Sequence, residues 1–176
     1  HRRPSGPDPQ RSGGKRHCLL CCGNALGPDA TPSIACRVQA ALGLPENRPA
    51  FDVNAACSGF IYAAAAAHGL LSTLGGRYAL VIGCEALSRM VDPTDRTTCV
   101  LFGDGAGAAV FELAENALFA VTLGARGSEA IRAGGPAACD TAPITMDARR
   151  FSALPWRLCR AACKPCWTAA KRHCLI

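Results

Sequence analysis

The sequence predicts a layered α/β unit in which helices pack on a mixed sheet. Apolar runs of strand length alternate with helix-forming runs between Pro32 and Leu123, and glycine or proline punctuates them. The chain of 176 residues is 49% hydrophobic but only 6% aromatic, with 18 glycines, a composition that suits closely packed α/β layers. Its length allows one ordinary domain with a real core, or part of a larger one.

Taken in order, His1 to Arg16 holds Pro, Gly, Arg and Ser without hydrophobic period and predicts an irregular segment. Leu19 to Leu26 is apolar but broken by Cys21-Cys22-Gly23-Asn24, so residues 1–27 read as irregular throughout. Ser33 is placed to cap a helix whose face is Ala35, Val38, Ala41 and Leu42, ending at Gly43. Phe51 to Val53 is a short strand. Ser58 to Leu74 is the central helix, closed by Gly75-Gly76. Tyr78 to Gly83 is a continuous apolar run, as in a strand covered on both faces. Glu85 to Arg96 reads as a charged loop. Cys99 to Phe102, Ala106 to Leu113 and Leu118 to Leu123 read as three further strands.

Charge divides the chain in three. Residues 1–30 carry five Lys/Arg against two acids, residues 31–148 seven against eleven, and residues 149–176 seven against none. The centre is mildly acidic and the basic character lies at the ends. Cysteine follows the same split, with seven of twelve in the ends and Cys36, Cys57, Cys84, Cys99 and Cys139 scattered through the centre. With no secretory signal in the sequence, a reducing cytoplasm is the expected location. Val53 to Gly76 carries no formal charge and is long enough to cross a bilayer. It contains Asn54, Ser58, His68, Ser72 and Thr73, however, and its apolar content is mostly alanine, so a buried core helix is the better reading and no membrane span is expected.

The chemistry centres on Asp52-Val53-Asn54-Ala55-Ala56-Cys57-Ser58-Gly59-Phe60. Cys57 falls where a strand turns into a helix. Free backbone N–H groups at a helix start, together with the dipole, stabilise the thiolate, the nucleophilic form of the sulfur. Small neighbours leave room for a carbonyl to approach. The other central cysteines read as small buried hydrophobes. His68 lies inside the central helix and reads as a packing residue, and Asp104 as a turn former.

Three motifs together, the Cys57 stretch, Asp92-Pro93-Thr94-Asp95-Arg96, and Leu101-Phe102-Gly103-Asp104-Gly105-Ala106-Gly107-Ala108, resemble the β-ketoacyl-acyl-carrier-protein synthase III family. Pro32 to Gly43 fits the preceding helix, and the likeness covers residues 28–147. It implies a thiolase-like layered fold, of which this chain holds most of the N-terminal half, normally in a homodimer. It implies an acyltransferase that initiates fatty-acid synthesis with acyl-CoA and malonyl-acyl carrier protein as partners and no permanently bound cofactor. By position, Cys57 matches the nucleophile that becomes a thioester, its N–H one donor of the oxyanion hole, Arg96 a coenzyme A contact, and Leu87 a wall of the acyl pocket. The Gly103 to Gly107 run, which lacks the full nucleotide-loop spacing, reads as tight backbone packing beside the site. The histidine and asparagine that the family uses for decarboxylation are not found in this sequence, so the chain is expected not to condense.

The ends allow rival readings. Cys18-x-x-Cys21 and Cys163-x-x-Cys166, with His17, His173 and Cys174, have the ligand types of a structural zinc site. The basic tail has charge for nucleic acid but no groove-reading motif, so no nucleic-acid partner is expected. A third reading is translation out of frame. Codons for Arg149 to Trp156, shifted by one base, can encode Lys-Glu-Val-Phe-Arg-Phe-Ala-Val, the start of an amphipathic helix. The expected organisation is an irregular segment at 1–27, a condensing-enzyme core at 28–147, and a basic, Cys-rich tail at 148–176, with translation out of frame one reading of each end.

Overall fold

The computed structural model describes residues 17–23 (backbone only), 31–115, 117–125, 127–133, 143–147 and 149. Four strands form one mixed sheet: β1 (His17–Gly23), β2 (Ala50–Val53), β3 (Tyr78–Ala86) and β4 (Asp104–Glu112). Their order is β2-β1-β3-β4, with β1 parallel to both neighbours and β4 antiparallel to β3. Two helices make the crossovers, α1 (Ile34–Ala41) from β1 to β2 and α2 (Gly59–Leu74) from β2 to β3. A two-stranded ribbon, β5 (Ile131–Arg132) with β6 (Thr145–Met146), stands apart from the main sheet.

Local sequence explains the helices. Ser33 caps α1 by accepting from the Cys36 N–H at 3.2 Å. Asp52 adds a second clasp, its carboxylate accepting from the Ile34 and Ala35 N–H groups at 2.8 Å each. Those are donors a helix start leaves unpaired, and the bonds tie α1 to β2. In α2, Ala63, Ala67 and Leu71 recur every four residues on one buried face. They meet Ala79 and Val81, alternate residues of β3, to make the core cluster. Gly75 ends α2 at φ 65°, the left-handed conformation glycine adopts without strain, and its N–H bonds to the Leu71 carbonyl.

Ala56–Leu74 is long and apolar enough to span a bilayer by length and composition. Here one face of it lies buried against the sheet.

Four expectations need correction. Residues 17–23, expected to be irregular, form β1, the strand between β2 and β3. Its apolar run suits a strand with a neighbour on each side, and both edges are filled in register, Cys22 pairing with Val53 and with Gly83. The rest of 1–27 and all of 150–176 lie outside the described residues.

Residues 99–101 are turn and Phe102 is irregular, so no strand forms there. Asp95 draws that segment into a helical turn, accepting from Thr97 and Thr98 through its carboxylate and from the Thr98 and Cys99 N–H groups through its carbonyl. Residues 118–123 hold no strand. That stretch packs on α2 instead, Phe119 stacking on His68 at 4.4 Å and the Tyr62 hydroxyl donating to the Gly124 carbonyl at 2.9 Å. Lastly, the glycines of the Gly103 to Gly107 run are not tightly packed. A Cβ placed at Gly103, Gly105 or Gly107 would meet no atom within 4 Å among the described residues.

Candidate active site

Cys57 sits in a single 3₁₀ turn, Ala56–Ser58, between the end of β2 and the first residue of α2. The chain reverses sharply there. Ala56 has φ 46°, a left-handed conformation that costs an L-residue about 1–2 kcal/mol. Asn54 supports the turn by accepting from the Ala56 N–H at 3.3 Å, and Ser58 donates through N–H and hydroxyl to the Ala55 carbonyl at 3.1 and 2.8 Å. Because the Ser58 hydroxyl points back to Ala55, no side chain caps the start of α2. The Cys57 thiol is free and exposed.

Strand register places Leu87 at the same end of the sheet. Val53, Cys22 and Gly83 lie side by side on three parallel strands. Cys57 follows Val53 by four residues, and Leu87 follows Gly83 by four. The carboxyl ends of parallel strands are where open α/β sheets bind ligands. Leu87, half-buried, opens a second 3₁₀ turn, Leu87–Met90. Arg96 is exposed on the loop that then leads to β4.

Carboxylates organise this rim. Asp92 accepts from the Thr94 hydroxyl at 2.6 Å and N–H at 2.8 Å, and those bonds hold its carboxyl below its ordinary range. Hydroxyls of Thr97 and Thr98 do the same for Asp95. Asp104 accepts from the Ser88 hydroxyl at 2.7 Å and N–H at 2.8 Å, and those bonds, with the nearby Arg89 charge, lower it too. Asp104 is therefore more than a turn former. It joins the Leu87 turn to the start of β4. Asp92 and Asp95 are engaged by threonines, and Arg96 has no ion pair among the described residues.

Two sequence features fall away from this rim. His68 packs on Phe119 and helps line a 270 Å³ cavity with Leu71 and Leu118, and Cys57 is not among the lining residues. The zinc reading finds no support. Cys18 and Cys21 lie on the extended backbone of β1, not on a knuckle, and no cluster of three ligand-type side chains occurs among the described residues. Cys163, Cys166, His173 and Cys174 lie outside the described residues.

A family model described as 3-oxoacyl-[acyl-carrier-protein] synthase III matches residues 51–127, from β2 through the Cys57 turn to the loop beyond β4. The central segment of this chain is thus similar to synthase III sequence. A β-ketoacyl-[acyl-carrier-protein] synthase III from Rhodospirillum rubrum is 60% identical over 84 residues, 47% of this chain and 26% of that protein. One from Coxiella burnetii is 47% identical over 94 residues, 53% of this chain and 30% of that protein. Among solved structures, the synthase III of Aquifex aeolicus superposes with a TM-score of 0.71 at 38% identity, over 82% of this chain and 47% of its own. That of Pseudomonas aeruginosa gives 0.68 at 34%, over 76% and 43%. The fold is thiolase-like, and this chain spans under a third of the curated relatives and under half of these two solved structures.

Proposed function

We propose that this chain carries the acyl-accepting half of a synthase III-type acyltransferase. The Cys57 thiolate attacks the thioester carbonyl of acyl-CoA. The tetrahedral intermediate collapses with loss of coenzyme A thiolate, leaving the acyl group as a thioester on Sγ. The Cys57 N–H serves as one oxyanion donor, stabilising the charge that develops on the carbonyl oxygen. Arg96 meets the phosphates or adenine of coenzyme A, for which a planar, permanently charged guanidinium is suited. Leu87 forms part of the acyl pocket. No permanently bound cofactor takes part.

The observation that carries this reading is the exposed Cys57 thiol on a sharp turn at the uncapped start of α2. In the complete family reaction the acyl-enzyme condenses with malonyl-acyl carrier protein in a homodimer, releasing carbon dioxide. That step uses a histidine and an asparagine that residues 28–147 do not match, so the step proposed for this segment is thioester formation. For the tail, 148–176, the reading we favour is translation out of frame, which the nucleotide sequence tests directly; residues 17–23 pair in register as β1 and do not share that reading.

Mass spectrometry of the full chain incubated with acetyl-CoA tests the proposal. The expected result is one acetyl group, hydroxylamine-labile and located on Cys57, absent from Cys57→Ala. Acetylation spread over the other cysteines, or unchanged in Cys57→Ala, would overturn it.

A further inference from the structure

The Leu87–Met90 turn is held from outside. Ala86, the residue before it, offers no side-chain cap. A single 3₁₀ turn has too few internal hydrogen bonds to fix its own geometry. Its front is fixed by Asp104, which takes both the N–H and the hydroxyl of Ser88, the residue after Leu87. Its rear is fixed where the Met90 carbonyl accepts from the N–H of Ile144, a residue only 4% exposed. Asp104 is well placed to act as the front clamp, since it opens β4 in register with Ala86, the last residue of β3.

We infer that Asp104 is a positioning residue that sets acyl-chain selectivity through Leu87. This rests on the acyl-transfer reading above. One strand, β1, separates the strand that leads to Cys57 from the strand that leads to Leu87. Strand spacing puts the register-matched Val53 and Gly83 about 10 Å apart, the reach of a medium-length acyl chain, and β3 runs on to Ala86 before the Leu87 turn. A bidentate, charge-assisted clamp holds Leu87 at a fixed depth in that gap. Asn in place of Asp104 removes the carboxylate charge and reverses the bond to the Ser88 hydroxyl, so the clamp loses its charge assistance, the turn loosens and the wall recedes.

The test is a competition between acetyl-CoA and octanoyl-CoA for Cys57 in the full chain, read as the ratio of the two adducts by mass spectrometry. In Asp104→Asn the octanoyl-to-acetyl ratio is expected to rise about tenfold, the scale on which pocket walls discriminate chain length. Iodoacetamide alkylation of Cys57 reports that the thiol itself is still presented. Ser88→Ala is expected to shift the ratio in the same direction, and Ser88→Thr, which keeps the hydroxyl, to restore it. An unchanged ratio in Asp104→Asn overturns the inference. If Asp104→Asn does not fold, the Ser88 pair decides, and equal ratios in Ser88→Ala and Ser88→Thr overturn it. A wild-type chain that takes neither acyl group brings down the acyl-transfer reading, and this inference with it.

Discussion

The two ends of α2 are held by different physics. Along its length Ala63, Ala67 and Leu71 pack on Ala79 and Val81, and the contact is apolar and nearly free of solvent. At its start the chain is exposed, and the loops around it are shaped by single side chains bonding to nearby backbone. The packed region gains from the number of close contacts, and any loss there is felt as stability. The rim gains little per bond, because each bond replaces one with water. It does gain geometry, which presentation of a thiol requires.

Substitutions can separate the two regions. Leu71→Ala strikes the packed face and should cost about 2–5 kcal/mol, read as a lowered denaturation midpoint. A loss under about 1 kcal/mol would mean that the contact between α2 and β3 is looser than the burial shows. Asp52→Ala lies between the regions. It leaves two N–H groups of α1 without their carboxylate and should cost about 1 kcal/mol in the same experiment.

Acid addresses the rim alone. Asp92, Asp95 and Asp104 are each held below the ordinary carboxylate value of 3.8 by hydrogen bonds to the ionised form. Their contribution is therefore fully present above that value and is lost as pH falls through the lower folded values. The amide resonances of Ser88, Thr94 and Thr97 should hold steady from neutral to mildly acidic pH and move only below it. Movement in the neutral range would show that these bonds are not made by carboxylates. The smallest effect is expected at Arg77→Ala. Arg77 bonds Glu112 at 2.6 Å, but both side chains are largely in water, so the melting temperature should barely change.

The same division explains what the sequence disclosed. Ser33, Gly43, the alanine-rich run and Gly75 act locally, and the helices they announce are present at those places. β1 could not be read that way. Its cysteines and glycine look like breakers, and only its two neighbours make a strand of it. The turn at 95–101 did carry a local signal, since Asp followed by threonine two and three residues on is a side-chain-to-backbone motif. At the rim, the junction of strand and helix pointed to Cys57 from the sequence alone. The bond between Ser88 and Asp104 left no such mark, because the partners are 16 residues apart and meet only through the register of β3 and β4.

The left-handed φ at Ala56 makes that position a gauge of the thiol beside it. Most sites rank substitutions by size or polarity, but this one should rank them by backbone permissiveness. Glycine and asparagine fit the conformation, whereas valine, isoleucine and proline do not. A substitution library at position 56, sorted by Cys57 alkylation, should therefore recover the residues of left-handed turns. Such a profile would report the shape of the elbow without a ligand, a partner or a second domain.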